Sequence, residues 1–227
     1  MSRTSSYVPK CMLGLSLLLA LALSTPCVAQ FVTTDNFDRP DGPVGLGWSP
    51  WGNGAQISGN QLETFGQVNV AGGIERKLDV TFPLTFTFDF STAAPSDGGW
   101  QIGFNSASAF TVGAQNTSEF GVFQNNGGVA VCVFFQTTSG EADECAPVNA
   151  NQRQFTATAH ISGTVNADLS TTITIKYNDG VKPNAVHVTT PPPTGAIVVP
   201  QGSILMLGNP NATSGPHFFD NFKLTLM

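Results

Sequence analysis

Carboxylates give this chain its most obvious chemical potential, because a closely spaced pair of Asp or Glu side chains can cleave a glycosidic bond. The densest acidic cluster is Glu141-Ala142-Asp143-Glu144, between Cys132 and Cys145, and it is typical of a solvated turn. Asp89 lies on the polar side of a strand-like segment and could face a cleft, but no second carboxylate occupies the neighbouring alternating positions. The sequence therefore shows no recognisable catalytic pair and favours a protein that is not an enzyme.

The histidines and the possible nucleophiles also argue against an enzyme. His160, His187 and His217 each lie on or beside a strand-like segment, without the spacing that a metal site requires. We interpret each of them as a residue on the solvent face of a strand. Nucleophile-elbow sequences around serine or cysteine are also absent.

Three tryptophans and their polar neighbours offer a second kind of chemistry, the binding of sugar rings. Flat aromatic faces stack on pyranose rings, while Asn, Gln and Asp side chains bind the hydroxyl groups. Trp51 lies in a segment flanked by Pro and Gly, so we expect it to be exposed, whereas Trp100 shares a strand face with apolar residues, which favours the core. The candidate ligand-binding residues are Trp51, Trp48, Trp100, Gln101, Asn105 and Asp89.

Strands must position these candidate residues, and the most informative strand pattern lies at the end of the chain. From His217 to Leu226 apolar and polar residues alternate, which is the period of a half-buried β-strand. Asp220 falls on the apolar side, where a carboxylate must be paired, hydrogen-bonded or bound to a metal. Residues 33–38 have the pattern of a matching first strand. We therefore predict that the two ends of the mature chain pair in one sheet.

Further strand patterns recur along the chain. Residues 84–90 place three Phe side chains on one face and Thr and Asp on the other. Residues 119–123 and 129–135 read as a hairpin across Asn-Asn-Gly-Gly, and the second is apolar on both sides, which predicts a central strand covered on both faces. No helical period of useful length occurs. About a dozen short strands favour an all-β fold, a two-sheet antiparallel sandwich of the jelly-roll type.

The first 29 residues have the organisation of a secretory signal peptide. A basic start precedes a short apolar core at residues 13–23, and small residues before Gln30 predict cleavage after Ala29. We therefore expect residues 30–227 to form a single domain that is secreted, extracellular or periplasmic. No later segment is long and apolar enough to span a bilayer.

The charge of the chain argues against one class of partner, and its cysteines indicate a disulfide. Only 11% of the residues are charged, the net charge is -6, and no basic stripe is present, which argues against nucleic acid. Cys132 and Cys145 are the only cysteines after the leader, and an even number in an exported chain favours a disulfide. Such a bond would contribute about 3 kcal/mol to stability.

Both ends of the chain resemble a known family. Residues 35–48 read Asp-Asn-Phe-Asp-Arg-Pro-Asp-Gly-Pro-Val-Gly-Leu-Gly-Trp and residues 57–62 read Ile-Ser-Gly-Asn-Gln-Leu. Together they resemble the opening of bacterial concanavalin A-like (laminin G-like) domains, and residues 219–224, Phe-Asp-Asn-Phe-Lys-Leu, resemble their final strand. The resemblance implies a concanavalin A-like jelly roll, a fold shared by lectins, glycan-binding modules, glycosidases and lyases.

The resemblance also implies a structural calcium ion where the first and last strands meet. Asp220 would supply a carboxylate, and backbone oxygens near Asp35 and Gly59 would be further ligands, since calcium prefers several hard oxygens. The alternative is that Asp220 accepts backbone N–H bonds at a strand junction without a metal.

Motifs of the enzymes with this fold are missing. Laminarinase-like relatives carry Glu-x-Asp-x-x-Glu or Glu-x-Asp-x-Glu on one strand, and no strand here does. The Asn-Ser-Gly-Ile segment of a bacterial sugar-hydrolase family is replaced by Ala71-Gly72-Gly73-Ile74. We therefore expect a non-catalytic, lectin-like domain that binds a polysaccharide or cell-surface glycan. The alternatives are a glycoside hydrolase or lyase of the same fold, and a structural surface module without a small ligand.

Overall fold

The structure is a computed structural model that describes residues 31–52, 54–65, 70–92, 99–105, 120–124, 130–137, 140–148, 158–178, 180, 185–195, 204–212 and 216–227. These ranges contain fifteen β-strands and no helix. The described part of the chain thus offers no apolar helix of membrane-spanning length. The predicted signal peptide lies outside the described residues.

The strands are β1 (Phe31–Asp35), β2 (Ser49–Gly52), β3 (Ala55–Ser58), β4 (Gln61–Thr64), β5 (Val70–Lys77), β6 (Leu84–Thr92), β7 (Trp100–Asn105), β8 (Phe120–Gln124), β9 (Ala130–Thr137), β10 (Gly140–Pro147), β11 (Thr158–Val165), β12 (Thr171–Tyr177), β13 (Ala185–Thr190), β14 (Ile204–Ala212) and β15 (His217–Leu226).

The strands form two antiparallel sheets. Sheet A has eight strands in the order β13-β12-β11-β6-β15-β4-β3, with β1 paired to β15 off this path. Sheet B has seven strands in the order β10-β9-β8-β7-β14-β5-β2. The predicted two-sheet sandwich is therefore confirmed.

Alternation along the strands builds one aromatic core between the sheets. On β6 the side chains of Phe86, Phe88 and Phe90 are fully or almost fully buried, while the Thr and Asp residues between them are partly exposed. Phe88 meets Trp100 of sheet B edge to face, with ring centroids 5.4 Å apart, and lies 5.7 Å from Phe219 of β15. The polar half of each alternating strand in sheet A therefore forms an outer face rich in Thr, Ser, His and Asp.

The first and last described strands pair as predicted. β1 runs antiparallel to the second half of β15, from Phe31 opposite Leu226 to Asp35 opposite Phe222. On its other side β15 pairs with β6, so the last strand connects the first strand to the middle of sheet A. The line along which β1 and β15 meet is called the seam below.

A β-bulge in β15 changes the predicted orientation of Asp220. The register against β6 shifts between Asp220 and Lys223, because three steps on β15 match two steps on β6, and Asn221 adopts a positive φ of 50°. Phe219 and Phe222 therefore both face the core, whereas Asp220 is partly exposed on the outer face. The prediction that Asp220 faces the core is wrong, because strict alternation does not survive an inserted residue.

The acidic cluster is a strand and not a turn. Residues 141–144 lie in β10, paired with β9, and Cys132 stands directly opposite Cys145. The predicted disulfide is confirmed, with the two Cα atoms 4.0 Å apart. β9 is buried on both faces, as its apolar pattern predicts, but it lies next to the edge strand β10 and not at the centre of the sheet.

Gly163 on β11 provides a test of the core. A Cβ atom there would collide with the ring of Phe86 and with the side chain of Ile173. We expect Gly163→Ala to lower the free energy of unfolding by about 1–3 kcal/mol in urea titrations. Ser162→Ala, on the outer face of the same strand, should change it by less than about 0.5 kcal/mol. Equal effects of the two variants would contradict this packing.

Candidate functional site

An open cleft of about 810 Å³ lies at the seam, on the outer face of sheet A. We call it the seam cleft. It is formed by β1 and the loop that follows, the bulge of β15, and single residues of β5, β6 and β11. Its lining residues are Thr34, Asp35, Asn36, Asp38, Arg39, Leu46, Arg76, Thr87, His160, Asn221, Phe222 and Lys223.

The carboxylate of Asp35 fixes the base of the cleft. Its Oδ1 accepts hydrogen bonds from the backbone N–H of Phe37 (2.8 Å) and from Nη1 of Arg39 (2.8 Å). Its Oδ2 accepts from Nη2 of Arg39 (3.1 Å) and from Nε1 of Trp48 (2.9 Å). The side chain is only 6% exposed, so this pair is screened much less than a surface salt bridge. Asp35 therefore holds the first strand, the following loop and Trp48 together.

Arg76 forms a second wall of the cleft. Its guanidinium lies over the ring of Trp48, 5.0 Å from the centroid, and its Nη1 donates to Oγ1 of Thr33 (3.2 Å). In the described part of the chain it forms no ion pair with a carboxylate. Trp48 is thus packed between Arg76 and the ring of Phe222, whose centroid lies 5.9 Å away.

A polar network crosses three strands beside the cleft. Nδ1 of His160 lies 2.7 Å from Oδ1 of Asp89, and Nδ2 of Asn221 donates to Oδ2 of the same carboxylate at 2.8 Å. The strand pairing places Asp89 directly between His160 of β11 and Asp220 of β15. Asn221 is therefore held in its left-handed conformation by a side-chain contact as well as by the bulge.

The surroundings of Asp220 disfavour the charge of its carboxylate. Partial burial raises its pKa, and the nearby carboxylates of Asp89 and Asp38 raise it further. Hydrogen bonds from the backbone N–H of Asn221 (2.7 Å) and from the side chain of Gln61 act in the opposite direction. This negative charge lies close to two others, and no cation in the described ranges pairs with it, so it would gain from a bound cation.

Solved structures with the same architecture are known, although no protein-family model and no curated protein sequence matches the chain. The exoplasmic/lumenal domain of VIP36, in its Ca²⁺/Man2-bound form, has a TM-score of 0.55 at 9% identity, over 86% of this chain and 87% of that one. Lectin II from Ulex europaeus has a TM-score of 0.56 at 12% identity, over 88% and 99% of the two chains. Arcelin-5, a lectin-like defence protein from Phaseolus vulgaris, has a TM-score of 0.56 at 13% identity, over 86% and 97%.

This chain has a concanavalin A-like lectin fold. The resemblance inferred from both ends of the sequence is confirmed at the level of the fold. Within this lectin fold, the seam cleft lies where the first and last strands pair.

The three tryptophans do not form the exposed platform that their sequence positions suggest. Each is 5% exposed or less, and each indole N–H is bonded internally. The prediction that Trp51 is exposed is wrong, because β2 pairs with β5 and the Trp51 indole donates to the carbonyl of Ile74 at 3.0 Å. Trp100 lies in the core, as its strand face predicts, and donates to the side chain of Gln124 at 2.8 Å.

The remaining predicted binding residues lie on different sheets. Gln101 and Asn105 are on the outer face of sheet B, each 4% exposed, and Asp89 is on the outer face of sheet A. Only Asp89 adjoins the seam cleft, through its bonds to His160 and Asn221. The structure therefore does not bring the predicted set together.

His217 also differs from its prediction. It is fully buried, with its ring 5.8 Å from that of Phe90. The bulge in β15 switches which alternate residues face the core, so odd-numbered residues before it, such as His217, point inward. His160 and His187 lie on the outer face, as expected.

The predicted calcium ligands fit this geometry only in part. Among the described residues, only Cys132, Asp143 and Cys145 bring three side-chain ligand atoms within 4.8 Å of one another, and the disulfide removes both thiols. The Asp35 carboxylate is already saturated by donors, whereas that of Asp220 suits a cation. A metal at Asp220 would therefore rely on backbone oxygens, as the family resemblance implies.

Sequence reasoning missed Leu46, Arg76 and Lys223 as cleft residues. Leu46 is 74% exposed and has a positive φ of 52°, between two glycines that also have positive φ. A large apolar residue between two glycines in a turn-rich segment is a signal that the sequence does contain. Nothing in the sequence indicates that Arg76, on β5 of sheet B, reaches a cleft of sheet A.

Asp220→Asn tests the surroundings of this carboxylate in chelated protein. Because its folded-state pKa is raised, the ionised form destabilises the fold at pH values above that pKa, and we expect the variant to have the higher Tm at pH 7. The difference should shrink as the pH falls through the raised pKa, where wild-type Asp220 becomes protonated. Asp79→Asn, at an exposed position, is the control with no expected gain. A lower or unchanged Tm of Asp220→Asn would contradict the assignment.

Proposed function

We propose that this protein is an exported, non-catalytic lectin-like domain that binds a saccharide in the seam cleft. The observation that carries the proposal is an open cleft, lined mostly by residues with polar side chains, several of them preorganised, on a lectin fold. VIP36, one of the similar structures, was solved with Ca²⁺ and Man2 bound, which supports a saccharide as the class of ligand. The disulfide supports export, since such bonds persist in oxidising compartments.

The lining of the cleft has the chemistry that a sugar requires. Sugar hydroxyls both donate and accept, and the cleft offers amides, a carboxylate, hydroxyls and cations in one place. Asn221 is already held in place by Asp89, so a ligand that binds to it loses no affinity to the entropy cost of ordering this side chain. Leu46 provides an exposed apolar surface on which the C–H face of a pyranose can rest.

The same lining argues against hydrolysis. Cleavage of a glycosidic bond uses two carboxyl groups, one of which must be free to exchange a proton. Asp35 and Asp38 are the carboxylates of the lining, and Asp35 is held by Arg39, Trp48 and a backbone N–H. The proposed binding residues, among them Leu46 and Asn221, take the place of the three tryptophans, whose rings are covered. Asp89 is retained as the residue that positions His160 and Asn221.

We also propose a structural calcium ion at Asp220, with backbone oxygens near Asp35 and Gly59 completing its ligands. The raised pKa of Asp220 and the proximity of Asp38 and Asp89 support a cation at this point. Gly59 adopts a positive φ of 58° in the β3–β4 hairpin, and its N–H is taken by Asp41 at 2.8 Å. Calcium would supply charge neutralisation at the seam.

A glycan array followed by isothermal titration calorimetry tests saccharide binding. We expect at least one oligosaccharide to bind with a Kd in the micromolar to millimolar range, and no new reducing ends to appear during incubation. Release of reducing or unsaturated ends would indicate a hydrolase or lyase. The absence of binding to any glycan at millimolar concentration would favour a structural module and contradict the proposal.

Leu46→Gly separates binding from folding. Glycine adopts a positive φ without steric penalty, so we expect the variant to be more stable by about 0.5–1 kcal/mol, yet to bind the saccharide more weakly. Asn60→Gly is the matched control, because Asn60 also has a positive φ, 62°, but lies in the β3–β4 turn. It should leave affinity unchanged. Unaltered affinity in Leu46→Gly would remove Leu46 from the site.

Calcium binding is tested by thermal unfolding of chelated protein. At a calcium concentration 100 times the Kd, the stabilisation is about 2.7 kcal/mol, or roughly 5–10 °C in Tm for a domain of this size. The response should be lost in Asp220→Asn. An unchanged Tm of the wild type would exclude the site, and a full response of Asp220→Asn would place the ion elsewhere.

A further inference from the structure

The seam cleft concentrates positive charge in an acidic protein. The chain contains nine Lys and Arg residues and has a net charge of -6, yet Arg39, Arg76 and Lys223 all line this one cleft. Arg39 is neutralised by Asp35 through two hydrogen bonds. The cleft therefore retains two cations, Arg76 and Lys223, that form no ion pair with any described carboxylate.

The two unpaired cations differ in how they are held. Arg76 is stacked on Trp48 and bonded to Thr33, so its planar fork is fixed before any ligand arrives. Lys223 is exposed on β15, with Thr34 of β1 and Thr87 of β6 as its strand neighbours. A fixed guanidinium binds the planar oxygens of a carboxylate or the oxygens of a sulfate, and a mobile ammonium adds a point charge.

The acidic groups near the cleft form no ion pair with these two cations in the described part of the chain. Asp89 is engaged by hydrogen bonds with His160 and Asn221, and Asp38 is a further carboxylate of the lining. Asp220 adjoins the cleft beside both of them, and the calcium ion proposed there would offset its charge. Acidic residues farther from the cleft act weakly on a ligand bound there, because at physiological salt their effect decays over about 8 Å. A short acidic oligosaccharide is therefore favoured over a long polyanion, which would extend across the acidic surface.

We propose that the seam cleft selects an anionic saccharide, whose carboxylate or sulfate group is bound by Arg76 and Lys223 while its ring rests against Leu46. The inference rests on the proposed function, because it names the class of saccharide for the same cleft. Arg76, Lys223 and Leu46 are not among the residues of the tryptophan-based prediction.

The direct test compares ligands that differ only in charge. Trigalacturonate and its fully methyl-esterified form have the same sugar backbone, and calorimetry at 50 and 200 mM NaCl measures both. We expect the free acid to bind about tenfold more tightly than the ester, and its affinity to fall with salt. A sulfated trisaccharide in a third titration distinguishes sulfate from carboxylate as the anionic group, and preferential binding of either anion supports the proposal.

Lys223→Gln and Lys77→Gln form a matched pair of variants. Both remove one positive charge from an exposed strand residue, but Lys77 follows Arg76 on β5, outside the cleft lining. We expect Lys223→Gln to weaken binding of the acidic ligand about tenfold and Lys77→Gln to leave it unchanged. Equal losses in both variants would indicate non-specific attraction and overturn the proposal.

The outcomes separate this inference from the proposed function. If the ester or a neutral oligosaccharide binds as tightly as the free acid, and Lys223→Gln has no effect, the anionic selection fails while saccharide binding stands. If no saccharide binds in any form, both fail together.

Discussion

The buried carboxylate of Asp35 is the group on which the seam depends. It accepts four hydrogen bonds, from the backbone of Phe37, from both Nη atoms of Arg39 and from the indole of Trp48. Removing one partner of such a buried pair leaves the other charge unsatisfied, which is destabilising by about 3–5 kcal/mol. Because Trp48 also packs against Arg76 and Phe222, the same carboxylate indirectly fixes sheet B, the last strand and the base of the cleft.

The bulge in β15 is the second constraint, and it converts a regular strand pair into a site. With strict alternation, either Phe219 or Phe222 would leave the core. The additional residue lets both rings be buried and places Asp220 and Asn221 on the outer face. Bulges re-aim side chains in this way at the places where sheets carry function. The cleft, the raised pKa of Asp220 and the network around Asp89 all follow from this single insertion.

The sequence predicts the architecture well because alternation and turn residues are local signals. The Phe-rich alternation of β6 and the pairing of the first and last strands both appear as predicted. Period-2 patterns fail where the register shifts, which explains the errors at Asp220 and His217. The surroundings of Trp51 depend on β5, more than twenty residues away along the chain. Such pairings between distant segments decide which side chains are exposed, and a local pattern does not contain them.

Strain in the backbone is concentrated around the cleft. Five described residues other than glycine have a positive φ. Two of them, Leu46 and Asn221, line the cleft, and Phe37 lies between two residues that do. Each such conformation costs about 1–2 kcal/mol for a residue with a side chain, and the cost is least for Asn. Asn221 and Phe37 have compensating contacts, with Asp89 and with the core, respectively. Leu46 is exposed, and its conformation belongs to the turn that the Trp48 N–H closes on the carbonyl of Gly45 at 3.0 Å. This turn requires a left-handed backbone at position 46, which glycine would adopt at less cost, but it does not require a large apolar side chain there. In the proposed function that exposed side chain is the surface on which the sugar ring rests.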